Sequence, residues 1–313
     1  MIYTVTFNPA LDYVVTLDEL NIGGLNRNKA EQILAGGKGI NVSTVLKNLG
    51  IDNTALGFIA GFTGKKIESM LNEEGYKTDF IYVEDGMSRI NIKVKSGVET
   101  EINGIGPDIS DAHIKELYNK LDSLQKGDVL VLAGSVPLSV NDSIYRDIMK
   151  YLEEKDIRIV VDASGELLRK TIDCTSFLVK PNIHELAGFF EIADIKTREE
   201  AIFYAKKLRE MGPLNVLVSM GANGAILIDE FKNVYVCDAP NGEVINTVGA
   251  GDSMVAAFVA EYTDSMPECD YSHLLKLSVA AGSASAFSKD LATKEEVLRI
   301  YDKLKVVEVR EIS

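Results

Sequence analysis

From about residue 127 onward the chain alternates short runs of aliphatic and β-branched residues with longer helical stretches, and nothing else in it constrains the fold as strongly. The runs are Val129-Leu130-Val131-Leu132, Ile157-Arg158-Ile159-Val160-Val161, Phe177-Leu178-Val179 and Val216-Leu217-Val218. Such alternation predicts βαβ units, hence an α/β fold of three αβα layers around a doubly wound, mostly parallel sheet. Each run ends in a polar or glycine-rich turn: Ala133-Gly134-Ser135, Asp162-Ala163-Ser164-Gly165, Lys180-Pro181-Asn182 and Ser219-Met220-Gly221. Sheets of this kind bind ligands at those carboxyl ends.

Residues 12–35 and 88–103 break the pattern, with strand-like alternation and no helices between, as in Ile90, Ile92 and Val94 against Asn91, Lys93 and Lys95. They predict a small separate sheet, with a hairpin turning at Ser96-Gly97. The expected division is a large domain from 1–11, 36–87 and 104–313, and a small β lid from 12–35 and 88–103. The plainer alternative is a pair of surface hairpins. At 313 residues, 46% hydrophobic and 26% charged, the chain can bury one large core.

A net charge of −14 excludes nucleic acid and anionic membrane as partners, because both would repel the protein as a whole. An anionic substrate must then be held by local basic groups. No run of 18 apolar residues occurs, and the N-terminal stretch meets Asn8, Pro9 and Asp12 at once, so neither export nor a membrane span is expected. Three cysteines, Cys174, Cys237 and Cys269, without CxxC spacing, read as reduced interior thiols of a cytoplasmic protein.

Chemistry concentrates in three glycine-rich or capping motifs. Asn246-Thr247-Val248-Gly249-Ala250-Gly251-Asp252-Ser253 opens a helix apolar on every side, Met254 to Ala260. Its first turn presents unpaired N–H groups to an anion. A dinucleotide site would not place Asp252 there, Met254 stands where its third glycine belongs, and no GxxxxGK[ST] string exists. What remains is phosphoryl transfer, with the Gly249, Ala250 and Gly251 amides stabilising charge and Asp252 taking the proton of an attacking hydroxyl. Alone, Asp252 would read as a helix cap, but the glycines around it reverse that preference. Gly36-Gly37-Lys38-Gly39-Ile40-Asn41 opens a second helix, where Lys38 can neutralise a phosphate and Asn41 can donate to an oxygen; the plain reading is a glycine-rich turn. In Lys180-Pro181-Asn182-Ile183-His184-Glu185, Asn182 and Glu185 form either a capping box or a Mg²⁺ site with Glu185 as ligand, directly or through water.

These motifs, in this order, resemble the ribokinase-like sugar kinases of the PfkB family. Thr6-Phe7-Asn8-Pro9-Ala10-Leu11-Asp12, Ala133 to Pro137 and Val218 to Ala225 extend the likeness along nearly the whole chain. The resemblance implies the ribokinase-like fold with its β lid, ATP and Mg²⁺ as cofactors, and Asp252 as base. It implies sugar contacts at Asp12, Arg27, Gly37, Lys38, Gly39, Asn41, Arg89, Asn103 and Ser135. Nucleotide contacts fall at Lys180, Asn182, Ser219, Gly221, Ala222, Gly224, Gly249 and Gly251. Gly24 to Arg27, Ser88 to Asn91 and Thr100 to Gly104 look most like the branch acting on phosphorylated ketoses. For it the implied reaction is fructose 1-phosphate plus ATP giving fructose 1,6-bisphosphate and ADP, with tagatose 6-phosphate as the alternative acceptor. A non-catalytic sensor of sugar phosphate or nucleotide is the rival from another class. Exposed lid strands also offer edges that pair between two subunits, the basis for an expected homodimer.

Overall fold

The structure is a computed structural model that describes residues 1–262 and 269–309. The chain begins with β1 (Ile2–Thr6), crosses to a second sheet for β2 (Ala10–Thr16) and β3 (Ala30–Gly36), and returns at α1 (Lys38–Asn48). It continues through β4 (Asn53–Ala60), α2 (Gly61–Glu73) and β5 (Ile81–Val83), then crosses again for β6 (Arg89–Ser96) and β7 (Val98–Asn103). Next come α3 (Asp111–Leu121), β8 (Val129–Ala133), α4 (Ile144–Tyr151), β9 (Arg158–Asp162), α5 (Gly165–Thr171), β10 (Leu178–Val179) and α6 (Ile183–Phe189). After α7 (Arg198–Glu210), strands β11 (Asn215–Ser219), β12 (Ala225–Ile228) and β13 (Val234–Cys237) precede α8 (Ala250–Glu261), α9 (Tyr271–Ala286), α10 (Lys294–Tyr301) and β14 (Val306–Glu308).

The main sheet has ten strands in the order β14-β13-β12-β11-β10-β9-β8-β1-β4-β5. Pairing is parallel from β5 to β11 and antiparallel beyond it. Its central runs are continuously apolar because both faces are covered. Leu130 and Leu132 enter one core with Phe7, Phe58 and Tyr145, while Val129 and Val131 enter another with Val45, Leu46 and Phe258. The all-round apolar helix α8 packs between α1 and α9 on that second face, which brings the first turns of α1 and α8 to the same edge of the sheet.

The second sheet has the order β3-β2-β6-β7, with its two central strands parallel. Residues 17–29, inside a segment expected to be strand, form none. Instead Asn26 closes a local turn, its side chain accepting from Asn21 N at 2.7 Å and donating to Asn21 O at 2.9 Å, next to Gly23-Gly24. The hairpin at Gly97 is present, with Ser96 paired to Val98. Cross-strand register puts Asp12, Asn91 and Asn103 in one row and Ile33, Tyr13, Ile92 and Ile102 in the next, so one face is polar and the other apolar.

Two polar pins fix this sheet to the main one. Asn8 Nδ2 donates to Ile105 O at 2.9 Å, joining the outgoing crossing to the final return. The buried Ser88 accepts from Ala60 N at 3.0 Å through its hydroxyl, and its carbonyl accepts from the Thr63 hydroxyl at 2.7 Å. Ser88→Ala leaves the Ala60 N–H buried and unpaired, and a stability loss of about 1–3 kcal/mol is expected in urea unfolding.

Candidate active site

Asp252 is the third residue of α8, buried, with Oδ2 accepting from Asn41 Nδ2 at 2.7 Å. Gly249, in the left-handed region at φ 78°, caps the helix and turns the chain so that the first-turn amides face outward. Of the three amides expected to face an anion, Ala250 N donates instead to Thr247 O at 3.3 Å. This corrects the expectation for Ala250, because the tight turn before the helix already uses that N–H.

Lys38 is the first residue of α1, and its ammonium donates to Asp162 Oδ1 at 3.0 Å. The same oxygen lies 3.5 Å from the buried ammonium of Lys180, which itself sits against the first turn of α8, 3.0 Å from where a Cβ of residue 251 would be. Asp162 was not singled out from sequence. The available signal was its place at the end of β9, an acidic residue closing an apolar run. Burial alone would push its carboxyl up, but Lys180 and Lys38 outweigh it and hold the group below the usual carboxylate range. Burial would lower the Lys38 ammonium, and Asp162, Asp252 and Glu185 together raise it instead. Asp252 is pushed up to about 6 by burial and by the charge on Asp162, against Lys38, Asn41 and Lys180.

Around these groups opens a cleft of about 440 Å³. It gathers Asp12, Arg89 and Asn103 from the four-stranded sheet, and Lys180, Asn182, Glu185, Ser219, Gly249 and Gly251 from the edge of the main sheet, with Gly37, Lys38, Asn41 and Asp252 between them. Ser135 lines an adjoining cavity of about 320 Å³ that shares Gly37, Lys38, Arg89 and Glu185 with the cleft. Arg89 Nε donates to Asn8 O at 3.0 Å, which steadies the guanidinium between the two spaces.

Several expected positions fall elsewhere. Arg27 is exposed on the 17–29 connection and lines neither cavity. Gly39 faces the end of β1, where a Cβ would stand 3.1 Å from Val5 O, so helix packing accounts for it. Gly221 and Ala222 form the turn after β11, and a Cβ on Gly224 would stand 2.7 Å from Ala239 N. Asn182 and Glu185 do form the capping box, each side chain accepting from the other's N–H at 2.8 Å. Glu185 Oε2 is committed to that bond, and the residue lines the cleft. Lys93, also absent from the expected set, lines the cleft beside Asp12.

The arrangement offers amides at a helix N-terminus, one buried and one half-buried ammonium group, and a buried carboxylate able to accept a proton. The model of the pfkB family of carbohydrate kinases matches residues 5–297. The chain belongs to this family. It is a phosphotransferase with an alcohol group as acceptor, in a family whose kinases use ATP. It is 45% identical over 306 residues to a 1-phosphofructokinase of Bacillus subtilis, covering 98% of this chain and 99% of that one. It is 42% identical over 293 residues to a D-tagatose-1-phosphate kinase of Bacillus licheniformis, covering 93% and 94%. The Escherichia coli phosphofructokinase-2 in complex with fructose-6-phosphate superposes with a TM-score of 0.88 at 27% identity, covering 96% and 98%. Among the described residues no helix is long and apolar enough to cross a membrane.

A raised carboxyl in the folded state holds a proton that the unfolded chain has released between about pH 4 and pH 6, so stability falls as pH rises through that window and stays lower above it. Asp252→Asn removes this penalty. The variant is expected to melt higher than the parent at pH 7 by calorimetry, with the gap closing as pH is lowered below about 4.

Proposed function

We propose that this kinase transfers the γ-phosphoryl group of ATP to the free primary hydroxyl of a ketose 1-phosphate, foremost fructose 1-phosphate, giving fructose 1,6-bisphosphate and ADP. The observation that carries the reading is Asp252 at the first turn of α8, sharing one cleft with Lys38, Lys180 and Arg89. The relatives similar over nearly the whole chain are named for fructose 1-phosphate and for D-tagatose 1-phosphate, and both acceptors present the same free 6-hydroxyl.

In this reading Asp252 takes the proton as the hydroxyl attacks in line, and Asn41 holds the carboxylate toward it. The Gly249 and Gly251 amides face the transferring phosphoryl group, while Lys38 supplies positive charge at its oxygens. Lys180, pressed against the helix start, keeps Asp162 charged and Asp162 in turn holds both ammonium groups in place. Asp12 and Asn103 face the sugar from the lid, and Arg89 with Ser135 takes its 1-phosphate in the adjoining cavity. Nucleotide contacts run along Lys180, Asn182 and Ser219.

Magnesium fits the residues present. Asp162 Oδ2 is buried without a hydrogen-bond partner in the structure, and Glu185 keeps one oxygen outside its capping box. Among the described residues no group of three acidic, His or Cys side chains forms a cage, as suits an ion held largely by waters and phosphates. When bound, the ion would neutralise charge on the nucleotide phosphates. Free thiols at Cys174, Cys237 and Cys269 suit a reducing compartment such as the cytoplasm.

The decisive assay is ADP release with Mg²⁺–ATP, comparing kcat/KM for fructose 1-phosphate, tagatose 1-phosphate, tagatose 6-phosphate, fructose 6-phosphate and free fructose. Fructose 1-phosphate is expected to lead. Leadership by a 6-phosphate would overturn the acceptor, and no turnover of any would overturn the kinase. With the leading acceptor, kcat of the parent is expected to fall as pH drops through about 6, because only the ionised Asp252 accepts a proton.

A homodimer through the lid is part of the same reading. Its apolar face carries Ile33 and Ile102, 51% and 60% exposed, on either side of Tyr13 and Ile92. Four strands with such a face are served by burial against a second copy. Ile102→Lys is expected to shift the mass measured by light scattering from dimer to monomer, and an unchanged mass would remove the lid from the interface.

A further inference from the structure

The polar face of the lid carries an ion pair that the reaction as described does not use. Lys93 Nζ lies 2.9 Å from Asp12 Oδ2, and the two residues are 7% and 8% exposed. Asn91 Nδ2 donates to the other oxygen, Oδ1, at 2.9 Å, and Asn91 Oδ1 accepts from Gly104 N at 3.3 Å, so the amide is held the right way round. On the far side the carboxylate touches the backbone of β3, where a Cβ on Gly36 would stand 2.7 Å from Oδ2. Asp12 is therefore boxed on both sides within the sheet.

Stability does not explain this arrangement. A buried ion pair roughly breaks even against apolar residues of the same size. Nor does local pairing, because Glu101 stands directly opposite Lys93 in the register, exposed and available, yet the ion pair formed among the described residues goes to Asp12. A carboxylate has about four lone-pair positions, two on each oxygen. Asn91 takes one on Oδ1, and the Lys93 ammonium pairs with Oδ2 by charge, so the two partners bracket the carboxylate and leave acceptor capacity on both oxygens for a ligand.

We propose that Lys93 is a positioning residue for acceptor recognition: with the hydrogen bond from Asn91, its charge fixes the orientation of the Asp12 carboxylate, so that the acceptor positions left on the two oxygens read neighbouring sugar hydroxyls and discriminate between C4 epimers. The proposal rests on the ketose 1-phosphate reading and adds a residue to that site. Fructose and tagatose differ only in the direction of the 4-hydroxyl. A carboxylate in a fixed plane accepts from a vicinal pair of one geometry and leaves the other poorly bonded, whereas one free to rotate accepts from both.

The test is a double-mutant cycle on Asp12 and Lys93 with fructose 1-phosphate and tagatose 1-phosphate as acceptors. Lys93→Met is expected to raise the acceptor KM about tenfold while kcat changes by less than about threefold, and to bring the two epimers' kcat/KM values closer by about tenfold. Lys93→Arg should recover most of the discrimination. In an Asp12→Asn background the same Lys93→Met change is expected to shift KM by less than about twofold, since its target is already gone. An unchanged epimer ratio in Lys93→Met, or an effect as large with Asp12→Asn as without it, overturns the proposal. If Lys93→Met does not fold by circular dichroism, Lys93→Gln, shorter and uncharged, takes its place in the cycle with the same expected loss of the epimer ratio. Should the parent prefer a different acceptor, that appears before any variant is made, and the cycle is run on the preferred sugar and its epimer.

Discussion

One buried carboxylate organises the catalytic edge of this kinase. Asp162 closes β9 at the centre of the main sheet and is fully enclosed, a costly place for a charge without partners. Lys38 arrives from the first turn of α1 and Lys180 from the loop after β10, and both ammonium groups converge on the same oxygen. Against the cost of burial, the two ammonium groups hold the Asp162 carboxyl below its usual range and so in its charged form. The three-way arrangement also reaches Asp252, because the negative charge on Asp162 adds to burial in raising its carboxyl toward neutrality.

The backbone reason that these groups meet is helix packing. Helix α8 is buried on all sides, so its direction is set by α1 and α9, and its N-terminus is delivered to the carboxyl edge of the sheet beside the N-terminus of α1. Asn41 and Asp252 are then within hydrogen-bond reach across 211 positions of sequence. Two positive helix ends and two lysines concentrate positive potential in one cleft of a protein whose net charge is −14, which is how an anionic substrate is accommodated. The four-stranded sheet completes the cleft through the period of a strand: Asp12, Arg89, Asn91 and Lys93, which line it, alternate with the apolar Leu11, Ile90 and Ile92 on the other face.

Much of this was legible in order. Asp252 and its glycines, Lys38 and Asn41, and Lys180 with Asn182 and Glu185 are local strings whose spacing announces a helix start, and the structure gathers them in one cleft. Gly39 and Gly224 also meet close backbone neighbours, and in sequence a glycine needed for a close backbone contact looks the same as one needed for a ligand. Asp162 and Lys93 went unread for a different reason. Each is a single charged residue at the end of, or within, an ordinary strand, and only a partner distant in sequence gives it meaning.

The sequence by itself determined the alternation of strand and helix, the polar and apolar faces of the small sheet, and the glycine-rich helix starts that meet in the cleft, because these depend on periods of two and 3.6 residues and on local turn chemistry. Tertiary structure decided which charges pair, which carboxylate is raised and which lowered, and that Arg27 lies outside the cleft of its own chain. Those outcomes follow from burial and from distances of about 3 Å between groups far apart along the chain, and charge interactions in a low-dielectric interior depend on position rather than on order in sequence.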